Sequence, residues 1–131
     1  LWFGGGGVHP YKGWAHVDAV IRRIARKADG WMPTFDPDDA GAELISRFQG
    51  FCREHGRNPE GFPIESLLLP AIHKDWPAHV RAWQKLGATR MATNIGGSGV
   101  KGVDMCIKRL EEVKRTLKSS DMWTDREDAT P

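Results

Sequence analysis

Hydrophobic and polar positions follow one repeating order along this chain. A short apolar run leads into a polar or Gly/Pro-rich loop, and then into a stretch with apolar residues at helical spacing. The unit recurs four times. Leu1-Trp2-Phe3 reads as the first strand, followed by Gly4-Gly5-Gly6-Gly7 and a loop through Trp14. A helix is expected over Ala15–Ala28, with Val17, Val20, Ile21, Ile24 and Ala28 on one face and Arg22, Arg23, Arg26 and Lys27 on the other. Asp29-Gly30 stops it, and Gly30-Trp31-Met32 forms a second strand ended by Pro33.

Asp36-Pro37 suits the start of the second helix: Asp36 as cap, Pro37 as first helical residue, Asp38 and Asp39 against the positive end of the dipole. Leu44, Ile45, Phe48 and Cys52 make its buried stripe, and Gly56 is placed for a left-handed cap. Arg57-Asn58-Pro59-Glu60-Gly61 is turn chemistry. The third strand, Ile64–Leu69, is mostly apolar, as expected of a strand covered on both faces. Asp75-Trp76-Pro77 repeats the helix start, with Val80, Trp83 and Leu86 facing in and Gly87 closing. Ala88–Ile95 is the fourth strand. Gly96-Gly97-Ser98-Gly99 leads to a last helix over Gly102–Leu117, with Val103, Ile107, Leu110, Val113 and Leu117 in register. Residues 1–118 thus form four βα units, and 119–131 read as a polar, disordered tail.

Strict alternation implies parallel strands joined by right-handed crossovers. Four units do not close a barrel. They fit either an open doubly wound sheet or half of a (β/α)8 barrel, which normally needs ~250 residues. In both, ligands gather at the carboxyl ends of the strands, where the loops are Gly4–Trp14, Pro33–Pro37, Pro70–Asp75 and Gly96–Gly102.

Composition narrows the picture. At 131 residues the chain suits one domain, and 40% apolar content with six Trp argues against disorder throughout. Nineteen Lys+Arg against seventeen Asp+Glu leave a dispersed +2, which gives no nucleic-acid footprint. No apolar run approaches the ~18–20 residues of a membrane helix. Cys52 and Cys106 form no CxxC and suit a reducing cytoplasm. The chain opens at Leu1 inside a strand, without Met or a charged leader, so we expect a piece of a longer protein.

Gly97-Ser98-Gly99-Val100-Lys101-Gly102 spells GxGxxG, but a dinucleotide fingerprint needs a following strand with an acidic end, and the chain turns polar instead. Gly4-Gly5-Gly6-Gly7 is the better ligand loop, since bare backbone can approach a phosphate and offer amide donors. His9, His16, His55, His73 and His79 are scattered and show no metal-site spacing; only His9 and His73 fall in functional-end loops. Trp76 and Trp83 read as core, whereas Trp31, at a strand end, could face a ligand ring. No Ser-His-Asp or Cys-His arrangement stands out, and no catalytic residue is nominated.

Certain spellings are more specific. Trp2-Phe3-Gly4-Gly5-Gly6, then Arg22-Arg23-Ile24-Ala25-Arg26-Lys27-Ala28-Asp29-Gly30-Trp31-Met32-Pro33, then Gly56-Arg57-Asn58-Pro59 and Leu86-Gly87-Ala88-Thr89 resemble the carboxyl-terminal half of the luciferase-like monooxygenase family, closest to its coenzyme F-420-dependent branch. The resemblance runs over about residues 1–117. It implies a TIM (β/α)8 barrel whose last four units are present. It also implies a deazaflavin coenzyme F-420, or FMN as the alternative, and hydride transfer to or from a small organic substrate. The coenzyme phosphate would lie at Gly4, Gly5, Gly6 and Gly7, without the serines such loops often carry. Proton-handling groups would lie in the other half, so the chain alone is expected to be inactive. A homo-oligomer without nucleic-acid or membrane partners is expected. The alternatives are a non-catalytic flavin-binding or dimerising half-barrel, and a small doubly wound nucleotide-binding domain.

Overall fold

The computed structural model describes residues 1–6, 13–96 and 99–122. Among them strands and helices alternate: β1 (Trp2–Gly5), α1 (Gly13–Lys27), β2 (Gly30–Pro33), α2 (Asp39–Glu54), β3 (Glu65–Leu68), α3 (Trp76–Lys85), β4 (Arg90–Thr93) and α4 (Gly102–Ser119). The fold is α/β, with two small parallel sheets, β1–β2 and β3–β4. β1 and β2 pair from Trp2↔Gly30 to Gly5↔Pro33. A single parallel bridge, Trp31↔Ile64, links β2 to the residue before β3. The Ile64 carbonyl accepts from the Thr89 and Arg90 amides, and the Leu68 carbonyl accepts from Asn94, so both strands advance together as a parallel pair must. Spatial neighbours therefore follow chain order.

The chain divides into two compact units, Leu1–Leu67 with Ala82–Ala92, and Leu68–Arg81 with the chain from Thr93 onward. In the first, α1 and α2 pack on each other. α1 brings Val17, Ile21, Ile24 and Ala25, while α2 brings Leu44, Ile45, Phe48, Phe51 and Cys52. Trp31 sits among them at 0% exposure, with Phe48 and Phe35 ring centroids 4.8 and 5.6 Å away. Truncating a Trp so enclosed costs about 3–5 kcal/mol. The period of two then sends Trp2, Met32, Glu65 and Arg90 to the other side of the strands, where they are half-buried or exposed. There the Trp2 indole lies on Gly30, where a Cβ would come within 2.6 Å of the ring, and the Arg90 guanidinium sits 5.4 Å from the Trp2 ring centroid. This unit's large apolar cluster thus lies on one side of its strands. β3 alternates half-buried and buried positions, which corrects the expectation of a strand covered on both faces.

The helix ends obey local chemistry. Arg57 donates to the carbonyls of Ala25 and Ala28, both at 2.7 Å, satisfying acceptors that the end of α1 leaves open. The α2 cap is Asp38, which accepts from the Gly41 amide at 2.8 Å, two residues later than the Asp36 cap expected. A side-chain cap must reach an amide two or three residues on, and Asp38 holds the extended backbone that allows it. Gly56 takes φ +68° just beyond the His55 cap, as expected.

In the second unit, Asp75 accepts from the Ala78 amide at 2.9 Å and starts α3 as the sequence suggests. α4 carries its apolar residues in register, but only part of that stripe is covered. Only Val113 and Leu117 of its five-residue stripe are buried; Val103, Ile107 and Leu110 are 73, 49 and 42% exposed. Periodicity identifies an apolar face but not whether anything covers it. α4 also extends to Ser119, two residues beyond the expected end, and residues 123–131 of the expected tail lie outside the described residues. No helix among the described residues is long and apolar enough to cross a membrane.

Candidate functional site: the glycine turn after β1

β1 ends in glycine because its exit needs backbone that other residues seldom adopt. Gly5 and Gly6 stand at φ +110° and +98°, a region costly for any residue with a Cβ. Gly6 has a second reason: its Cβ would meet the Trp31 ring at 2.8 Å and Ile21 at 3.3 Å. At Gly5 the same construction meets nothing within 4 Å, so the turn is bare on that side. Trp31 does more than fill space, since its Nε1–H donates to the Gly5 carbonyl at 2.9 Å. The turn is thereby tied to the core of the first unit at the carboxyl ends of β1 and β2. Gly4 ends exposed, and Gly5 and Gly6 are half-buried.

Of the four glycines expected to serve a coenzyme, the structure brings Gly4, Gly5 and Gly6 into this one turn; Gly7 lies outside the described residues, as does His9. Trp31 is corrected. Its ring is wholly enclosed by Phe35, Phe48 and the aliphatic core, so it presents no stacking platform to a ligand. The tryptophans at positions 76 and 83 are core residues, as read. Gly99 and Gly102 have positive φ, whereas Gly97 and Ser98 lie outside the described residues.

The second unit holds a different constellation. The Leu69 amide donates to Nδ1 of His73 at 3.0 Å, and the His79 ring stacks on His73 with centroids 3.7 Å apart and planes at 21°. The His73 carbonyl accepts from Trp76 Nε1 at 2.8 Å, so the ring-bearing turn is held from both ends. The histidines read as scattered are therefore not all scattered. His73 was singled out by its loop; His79 was missed, because pairing across six residues depends on how the Asp75 turn folds the chain back. That turn was legible, but its consequence was not.

The thiols offer no nucleophile pair. Cys52 and Cys106 are both free, and burial pushes the Cys52 thiol up, with Arg57 and Arg53 only partly opposing it. Such a sulfur stays protonated and inert. The basic residues Arg22 and Arg23 serve structure: Arg22 pairs with Glu54 and lies 4.0 Å over the Phe51 ring, and Arg23 approaches the Phe3 ring at 5.6 Å. The chain matches no protein-family model, no curated protein and no solved structure.

Proposed function

We propose that the chain forms the last four βα units of a (β/α)8 oxidoreductase of the luciferase-like type, using coenzyme F-420 or, as the alternative, FMN. One observation carries the reading: parallel neighbours in chain order, with the large apolar cluster on one side of the strands and Trp2, Met32, Glu65 and Arg90 on the other. A doubly wound sheet reverses direction about its first strand and covers both faces with helices. The strand order seen speaks against that alternative. The inner wall of a barrel, by contrast, is filled by large side chains projecting from the uncovered face.

The glycine turn fits the phosphate end of such a coenzyme. Gly4, Gly5 and Gly6 would hold it through backbone amides, because no serine stands among them. When bound, the coenzyme supplies hydride transfer between its ring and a small organic substrate. The chain's own part is to bind and orient. Enclosure of Trp31 keeps the turn rigid, and the absence of a Cβ at Gly5, where nothing lies within 4 Å, lets an anion come close to the backbone. Two free cysteines accord with the reducing cytoplasm we propose for this enzyme.

The test is coenzyme affinity in the full-length protein. Gly5→Val and Gly6→Val put a β-branched side chain at positive φ, and both are expected to weaken F-420 or FMN binding at least tenfold. Affinity unchanged by both substitutions would remove the turn from the site. A non-catalytic half-barrel would bind coenzyme and show no turnover in any length of the chain.

A further inference from the structure

We infer that Trp31 is a positioning residue for anion binding: its indole N–H fixes the Gly5–Gly6 peptide so that the Gly6 amide faces a ligand phosphate. The inference rests on the coenzyme reading above and assigns its phosphate contact to one donor.

The geometry follows from the peptide plane. The carbonyl and amide of a trans peptide point in opposite directions, and no described peptide bond is cis. The Gly5 carbonyl is drawn inward to Nε1 of Trp31 at 2.9 Å. The Gly6 N–H of the same peptide must then point away from the buried indole. Among the described residues no backbone carbonyl accepts from it. A Gly-Gly peptide at φ +110° and +98° would otherwise flip easily, since glycine populates both signs of φ. The indole removes that freedom. It is at 0% exposure and wedged between Phe35 and Phe48, so it cannot swing away to release the carbonyl. The ring also lies where a Cβ on Gly6 would be, at 2.8 Å, so one residue imposes both the orientation of the amide and the need for glycine. An amide prefixed toward an anion makes a charge-assisted hydrogen bond without paying to reorient.

Trp31→Phe keeps an aromatic ring in the core and deletes the donor. In the full-length protein, F-420 and its phosphate-free deazaflavin are titrated in parallel, with FMN and riboflavin as a second pair. The variant is expected to lose about tenfold in affinity for the phosphorylated member and less than about twofold for the other. An unchanged ratio between the two members overturns the role of Trp31 and leaves the coenzyme reading standing. Failure of the unmodified protein to bind either pair overturns both. Should the variant not fold, the unmodified protein decides by ¹⁵N–¹H spectra. The Gly6 amide resonance is expected to shift with FMN or F-420 and not with their phosphate-free counterparts, and a Gly6 resonance indifferent to phosphate overturns the assignment.

Discussion

Single atoms decide several features of this chain. Gly41 lies in the first turn of α2, where Ala would ordinarily gain about 1 kcal/mol over Gly. Here an added Cβ would come within 2.2 Å of the Asp36 carbonyl and 3.1 Å of the Phe35 ring. Gly41→Ala is therefore expected to destabilise, by about 1–3 kcal/mol, with a lower urea midpoint and an unchanged slope. Arg57 is the second such residue. Deleting its guanidinium leaves the Ala25 and Ala28 carbonyls without their partner, and Arg57→Ala is expected to cost about 2–4 kcal/mol in the same measurement. Arg57→Lys should recover only part of that, because an ammonium cannot reach both acceptors as a planar fork does. Neither effect could be read from the sequence. Arg57 stood in a turn-forming string, and nothing in its neighbours says which carbonyls, about thirty residues earlier, it would meet. The Asp38 cap was half legible: three Asp residues crowd that start, and spacing alone does not choose among them. Gly56, whose role depends only on its own helix, was fully legible.

At the scale of elements, periodicity located every helix and strand but misjudged cover. The apolar positions of α1 and α2 predicted their buried faces because those two helices have each other and Trp31 to meet. The same pattern on α4 puts five apolar residues in register, and the structure buries two of them. A stripe records what a helix offers, and burial depends on a partner. The two ends of α4 should consequently respond differently to substitution. Leu117→Ala removes a fully buried side chain and is expected to cost about 2–5 kcal/mol, whereas Ile107→Lys alters a position 49% exposed and should stay within about 0.5 kcal/mol. Denaturant melts of both variants, recorded by far-UV circular dichroism, check the contrast. A large loss at Ile107 would mean that something covers this face in solution. The thiols offer a parallel check. With Cys52 fully buried and its thiol held protonated by burial, a thiol reagent should modify Cys106 first and reach Cys52 only as α2 opens.

For the molecule as a whole, the alternation of strand and helix made α/β architecture legible, and the structure pairs consecutive strands within two small parallel sheets rather than in one sheet of four. What no sequence pattern specified was the bareness of one strand face. Trp2 and Arg90 are the first residues of β1 and β4, and their rings and charge meet on that face through the gap that Gly30 leaves. An aromatic ring 38% exposed, with Met32 and Glu65 half-open on the same side, leaves this face open, and the half-barrel proposed above would place it on the inner wall. This has a functional consequence. Hydride transfer needs a site closed to water, and a coenzyme held by the glycine turn alone would keep its ring in solvent. The 131-residue chain expressed by itself should therefore give no coenzyme-dependent turnover of alcohols or other small organic substrates with F-420 or FMN, and it should self-associate through the bare face in light scattering. Trp2→Ser together with Met32→Gln should lower that association without moving the unfolding midpoint much, because neither side chain belongs to the buried cluster. A monodisperse monomer that oxidises an alcohol with either coenzyme would sink the half-barrel reading, and it would make His9 and His73, the latter stacked on His79, the first positions to test for the base that takes the alcohol proton.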